Sequence, residues 1–273
     1  MHRYTWRTGA LETVMIVLGL VAVSPLLVMV SLALRPQTDS VDPLSVPSHL
    51  TLENFRHAWT EAGLLSAIAN SAVIAVVSVA VLVVLSSLAA YPLARVSKRW
   101  SALAYYGFIL GLLIPFQLGS FPLYTTFRQL GLIGGVLPLI VLYVGIQMPF
   151  SIFLYSTFLR SVSTEYEEAA VLDGCSTLSA FRHVVFPLMR PVTGTVVIIN
   201  LIFIWNDFFS PLLYLSGTSH QTIPVALYSF VGQISQQWNL VFAGLIIGIA
   251  PVVVAFFLMQ KSVFQGFTGG LKG

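Results

Sequence analysis

Long apolar runs separated by short polar stretches organise this chain. About 20 helical residues cross a bilayer core of roughly 30 Å. Runs of that length lie near residues 11–34, 66–94, 101–120, 136–159, 191–215 and 239–260. The pattern predicts an all-α integral membrane protein with six transmembrane helices. The second run is long enough for its start to be an interfacial segment. Pro25, Pro115, Pro138, Pro149, Pro211 and Pro251 fall inside runs. They predict kinks, because neighbouring helices can satisfy the backbone groups that proline frees. No internal repeat or low-complexity tract interrupts the pattern.

The polar stretches differ from one another. Four of the ten acidic residues, Glu165, Glu167, Glu168 and Asp173, fall within nine positions between the fourth and fifth runs. An island of this kind must be solvated or dock onto something. Thr164 and Glu167 have capping-box spacing, with the hydroxyl bonding the Glu167 amide and the carboxylate reaching back. The acids then occupy a first helical turn, where the helix dipole favours negative charge. Gly174 predicts the stop, since a left-handed residue past a helix end is easiest for glycine. A second short helix is expected from Ser176, ending before Pro187, with Pro191 opening the fifth span. Ala169 and Ala170 leave little bulk on one face, which another protein could approach closely. On local physics alone a solvated surface loop fits equally well.

Composition fixes the class. Of the 273 residues, 57% are hydrophobic and 8% charged, and the mean hydropathy is +0.89. Soluble domains carry roughly 25% charged residues. The net charge of +3 does not call for a nucleic-acid partner. Cys175 is the single cysteine, so no internal disulfide can form. The five histidines (His2, His49, His57, His183, His220) have no metal-ligand spacing, and no metal site is expected.

The basic residues set an orientation. With the N-terminus inside, inner segments hold Arg3, Arg7, Arg95, Lys98, Arg99, Arg160, Arg182, Arg190, Lys261 and Lys272, ten of the thirteen. Arg35, Arg56 and Arg128 remain outside. The positive-inside rule therefore selects N-in, C-in, with the acidic island on the cytoplasmic side. Arg3 and Arg7 before an apolar run resemble a signal peptide, and Ser31-Leu32-Ala33 loosely resembles a cleavage site. The run exceeds the usual length of about 7–15 residues, so an uncleaved first span is expected. The outer segment 35–65 is too short for a separate domain.

Glu168-Ala169-Ala170, three residues, Gly174, nine residues, then Val184-Val185-Phe186-Pro187 resembles the EAA loop of permease subunits of binding-protein-dependent ABC importers. That family's pattern has Ile and Leu where this chain has Val184 and Phe186, and both stay apolar. Asn70-Ser71 and Ala90-Tyr91-Pro92-Leu93-Ala94-Arg95 are similar to the same family. Trp205-Asn206-Asp207 and the tail from Gly266 to Gly273 resemble its maltose-type, carbohydrate-importing branch. The resemblance implies a MetI-like permease core over 69–260, preceded by 1–68 (N-terminal end, first span and outer segment) and followed by a cytoplasmic tail, 261–273. It further implies a prokaryotic-type cytoplasmic membrane location and four partners. These are a cytoplasmic ATPase dimer, a second and different permease subunit, an extracytoplasmic solute-binding protein and a carbohydrate, an oligosaccharide; membrane lipid surrounds the spans. ATP and magnesium would sit on the ATPase, and no cofactor is expected on this chain. Coupling to the ATPase would involve Glu168, Ala169, Ala170, Asp173, Gly174 and Pro187, with Glu168 facing a basic group in the ATPase cleft.

The chain is not expected to be an enzyme. Lys98, Lys261 and Lys272 follow Ser, Gln and Leu, so no Gly-Lys-Ser/Thr phosphate loop exists, and the sequence shows no paired catalytic groups at membrane depth. Asp207 is the one carboxylate deep in an expected span. It either lines the translocation path with Asn206 or caps and pairs locally, the reading favoured by its place toward the outer end, where charge costs less. Gln147, Asn200, Asn70 and Gln117 are further path candidates, though such residues also bond helix to helix. The outer stretch 216–238, with Gln221, Gln233, Gln236, Gln237, Tyr228 and Trp238, suits contact with a binding protein or an aromatic belt at the interface. Import of a non-sugar solute stays open. A self-sufficient secondary transporter would want an inverted repeat and midplane acids, and neither is evident.

Overall fold

A computed structural model describes residues 6–39, 47–231 and 237–269. In chain order the helices are α1 (Trp6–Ala33), α2 (Glu53–Glu61), α3 (Leu64–Arg95), α4 (Arg99–Gly111), α5 (Phe116–Gln129), α6 (Leu137–Ser161), α7 (Glu165–Leu172), α8 (Thr177–Leu188), α9 (Arg190–Asn206), α10 (Phe209–Leu215), α11 (Ile223–Tyr228) and α12 (Trp238–Gly269). The described residues thus form an all-helical protein. Four helices, α1, α3, α6 and α12, are long and apolar enough to cross a membrane, and the number rises to six if each of two bent pairs counts as one span.

The first bent pair departs from the single span expected over 101–120, whereas the second falls at the break expected before Pro191, and prolines stand at both. The third run, 101–120, is not one helix. α4 ends at Gly111, and α5, which begins inside the run and continues to Gln129, meets it at 93°. Pro115 stands just before α5 with extended backbone, and proline disfavours the helical conformation of the residue before it. In the second pair, α8 and α9 meet at 73°. Pro187 and Pro191 lie four residues apart across that break. A proline lacks the amide for the i−4 bond, and its ring clashes with the i−4 carbonyl. Contrary to expectation, α8 does not stop before Pro187. A π turn over Phe181–Val185 carries it on to Leu188. The fifth run, 191–215, is interrupted as well, with α9 ending at Asn206 and α10 starting at Phe209.

The chain divides into two compact units, one built from 1–65 with 226–250 and one from 66–225 with 251–273. In the first unit, α1 presents its whole apolar window to the surroundings, with none of it buried. The end of α1 is sewn in by two asparagines. Asn54 donates to the carbonyls of Ala33 (2.8 Å) and Arg35 (2.7 Å), and Asn239 donates to Arg35 (2.8 Å) and Pro36 (3.0 Å). A Cβ at Gly244 would strike the Leu227 side chain, so glycine there permits close packing.

The second unit holds one apolar core, with Leu139, Ile152, Tyr155, Leu159, Met189 and Val196 at its centre. Ser78, Ser86, Ser87, Ser151 and Ser156 are buried among the helices. Small polar residues of this kind let membrane helices approach closely. At the surface, Val73, Val76, Val84 and Leu103 remain exposed, apolar positions suited to lipid.

Candidate functional site

The acidic island folds as a helix-turn-helix, α7 to α8. Its turn is built as the sequence implies. Gly174 has φ +86°. Its amide donates to the Val171 carbonyl (3.0 Å), and the Cys175 amide reaches the Ala170 carbonyl (3.0 Å). These paired bonds satisfy carbonyls that a helix end leaves open. Ser176 then caps α8, its hydroxyl accepting from the Ser179 amide at 3.3 Å.

The start of α7 departs from expectation. Thr164 is itself in helical conformation and makes no side-chain cap bond. The Glu165 amide is held instead by the Ser163 hydroxyl, at 3.2 Å. No capping box forms, because Glu167 is drawn to a stronger partner. Arg95, the last residue of α3, donates from Nε to Glu167 Oε1 at 2.8 Å, with Nη2 at 2.7 Å from the same oxygen. The Tyr91 hydroxyl donates to Glu167 Oε2 at 3.0 Å. Arg95 Nη1 also donates to the carbonyl of Leu159, in the last turn of α6, at 2.7 Å. Charge-assisted bonds of this kind are roughly twice as strong as neutral ones.

The two alanines part company. Ala170 is buried at 8% exposure and belongs to the inward face, whereas Ala169 is exposed. The open face includes Glu165, Tyr166, Glu168, Ala169, Val171 and Leu172, with Asp173 and Gly174 exposed at the turn and Leu178 at the start of α8. Leu172 is 88% exposed. Pro187 is half-buried near the α8–α9 break.

The path candidates do not converge. Asn70 donates to the carbonyls of Ser219 (3.4 Å) and Gln221 (3.2 Å), and the Ser71 hydroxyl accepts from the Ile223 amide (3.1 Å). This pair anchors the stretch after α10. Asn200 is fully buried and donates to Ser151 Oγ (3.2 Å) and the Val196 carbonyl (2.7 Å), a helix-to-helix bond. Asn206 donates within its own helix to Ile202 (2.8 Å). Asp207 caps the start of α10 and bonds across to α6. Its Oδ1 accepts from the Phe209 amide at 3.0 Å and its Oδ2 from the Tyr143 hydroxyl at 2.9 Å. Gln147 and Gln117 share a cleft of about 710 Å3 at the α4–α5 bend, lined mainly by apolar side chains such as Leu123, Phe127 and Phe203. Asn70, Asn200, Asn206 and Asp207 are not in its lining.

Arg95, Tyr91 and Glu167 were not legible as a cluster in sequence. The available signal is the i,i+4 spacing of Tyr91 and Arg95, which places both on one helix face. Nothing in the sequence pointed them at a carboxylate more than seventy positions away.

Four helices long and apolar enough to cross a membrane, with an exposed helix-turn-helix between two apolar stretches, define an integral membrane protein. Residues 82–267 match the family described as binding-protein-dependent transport system inner membrane component, and the chain belongs to that family. It is thus a multi-pass inner-membrane transport subunit and not an enzyme. It is 32% identical over 272 residues to the melibiose/raffinose/stachyose import permease MelC of Bacillus subtilis, covering 98% of this chain and 99% of MelC. It is 33% identical over 257 residues to MsmG of Streptococcus mutans, a multiple sugar-binding transport system permease, covering 92% of each. A chain in the crystal structure of a bacterial ABC transporter involved in import of the acidic polysaccharide alginate has the same fold. Its TM-score is 0.82, with 20% identity over 96% of this chain and 99% of that one.

Proposed function

We propose that this chain is one permease subunit of an ATP-driven importer for a carbohydrate, an oligosaccharide, handed over by an extracytoplasmic solute-binding protein. The observation that carries this is similarity over more than nine-tenths of the chain to two sugar permeases, MelC and MsmG. Six spans follow if the α4–α5 pair is one span and α9, with 17 residues, is another. The excess of basic residues on one side then gives N-in, C-in. In this reading α7 and α8 are the coupling element on a cytoplasmic ATPase dimer, which holds the ATP and magnesium. Glu168 and Ala169 face the ATPase, Ala170 supports them from behind, and Asp173 and Gly174 form the turn. Pro187 sets the break that carries motion into α9. A second, different permease completes the pore. Gln117 and Gln147 are the polar groups best placed along the sugar path. Asn206, Asp207, Asn200 and Asn70 hold helices and the outer stretch in place.

The test is a mild-detergent pull-down of the tagged chain from its native membranes, followed by mass spectrometry. An ATPase, a second multi-span protein and a solute-binding protein should be recovered, and the binding protein should bind raffinose or maltotriose. Recovery of the chain alone in several gentle detergents would sink the importer. A binding protein that takes only non-sugar solutes would replace the substrate class. Within the complex, Glu168→Lys reverses an interface charge, a change that typically costs several kcal/mol. Uptake should fall about ten-fold or more, while membrane insertion is unchanged and ATP hydrolysis continues. Normal uptake in that variant would remove Glu168 from the coupling role.

A further inference from the structure

The last turn of α3 grips both arms of the helix-turn-helix. Tyr91 and Arg95 are four residues apart and so lie on one face. Together they engage both oxygens of Glu167 on α7, at 2.7 to 3.0 Å. The Tyr91 ring packs on Phe181 of α8, with centroids 5.3 Å apart, and Phe181 meets Phe186 in turn at a tilt, centroids 6.1 Å apart. One guanidinium also reaches α6 through the Leu159 carbonyl. The same end of α3 is tied to α4, where the Ser101 hydroxyl donates toward the carbonyls of Pro92 (3.2 Å) and Leu93 (3.4 Å). Arg160 of α6 lies 4.5 Å over the Tyr105 ring of α4.

We propose that Tyr91, Arg95 and Glu167 are positioning residues that transmit displacement of the helix-turn-helix into α3 and α6. This rests on reading α7 and α8 as the ATPase-docking element. Three features favour transmission over simple anchorage. First, the ion pair is shielded, with side-chain exposures of 13% and 12%, and removing one partner of a shielded pair leaves a costly uncompensated charge. Second, the guanidinium is a planar fork that bonds two elements at once, so it resists shear where a single contact would pivot. Third, adjacent glutamates divide the work. Glu167 points inward to the grip while Glu168 is exposed. A push received at Glu168 is one residue from the joint that passes it on. Rigid-body switching requires a stiff connection of this kind between the moving bodies.

The test uses the whole importer as it co-purifies, in liposomes, with Gly145→Cys in a Cys175→Ser background. Gly145 lines the cleft at the α4–α5 bend, and a Cβ there meets nothing within 4 Å. The readout is the labelling rate of that cysteine by a thiol reagent, with and without a non-hydrolysable ATP analogue. With the grip intact, nucleotide should change the rate by about five-fold or more, the low end for coupled sites. Glu167→Gln and Tyr91→Phe should abolish that response while the ATPase still co-purifies and hydrolyses ATP. The charge exchange Arg95→Glu with Glu167→Arg should restore part of it. Tyr91→Phe removes a single oxygen, so its loss of response cannot be ascribed to misfolding if the complex still assembles. An unaltered nucleotide response in both Glu167→Gln and Tyr91→Phe would overturn the proposal. Glu168→Lys separates the two levels. If it leaves the response intact, the docking reading fails; if it removes the response while Glu167→Gln and Tyr91→Phe do not, only the grip fails.

Discussion

Neighbouring residues in α7 serve opposite surfaces, and helix geometry separates them. A step of one residue turns a side chain by about 100°. Glu167 and Ala170 therefore share the inward face, while Glu168 and Ala169 look outward. Gly174 closes the helix at φ +86° with open space around its Cα. A side chain there meets no steric wall, so the cost is conformational, about 1–2 kcal/mol for an L-residue in the left-handed region and more for a β-branched one. Gly174→Val should lower ATPase recovery in the pull-down, and Gly174→Asn should recover most of it, since asparagine tolerates this conformation. Full assembly and uptake in the valine variant would show that the turn does not require glycine.

At the scale of elements, prolines decide where apolar runs become two helices. Pro115 stands where one run turns through 93°, and Pro187 and Pro191 flank the 73° bend by which α8 enters the fifth run. The bends are affordable because side chains and neighbouring helices replace lost backbone bonds. Asp207 does this at the α9–α10 break by binding the Phe209 amide. Asn200 illustrates the rival use of a polar group. Its bond to Ser151 joins α9 to α6 in a fully buried setting. Interhelical bonds in membranes average about 0.6 and reach about 1.7 kcal/mol. Asn200→Leu should lower the thermal midpoint in detergent by a few degrees and leave the choice of sugar unchanged. A changed sugar preference at unchanged stability would return Asn200 to the translocation path.

For the whole molecule, orientation is the property that partners and bilayer read. The single cysteine reports it without any mutation. Cys175 lies in the turn after α7, partly exposed. In the N-in, C-in arrangement a membrane-impermeant maleimide should spare it in intact cells and label it in inverted vesicles. Labelling in intact cells would reverse the arrangement and place the helix-turn-helix on the wrong side for a cytoplasmic ATPase.

Apolar length, proline placement and the glycine stop were all readable in the linear chain, because they act over one or two helical turns. The helical class, the four long spans, the Gly174 turn and the Ser176 cap follow from such local rules. So does the family resemblance, which lies in fixed spacings. The sequence could not choose among partners for a polar side chain. Thr164 and Glu167 satisfied the capping-box spacing, yet Glu167 bonds Arg95 and Tyr91. A shielded carboxylate gains more from a guanidinium and a phenol than from one exposed amide. Asp207, Asn70 and Asn200 were likewise visible as polar residues near or inside apolar runs, and only packing showed what each one holds. Local backbone physics determined where most helices lie, but not the course of α8 past Pro187 or the split of the third run. The meeting of distant helix ends, where charge leaves water and must find a partner, decided the site.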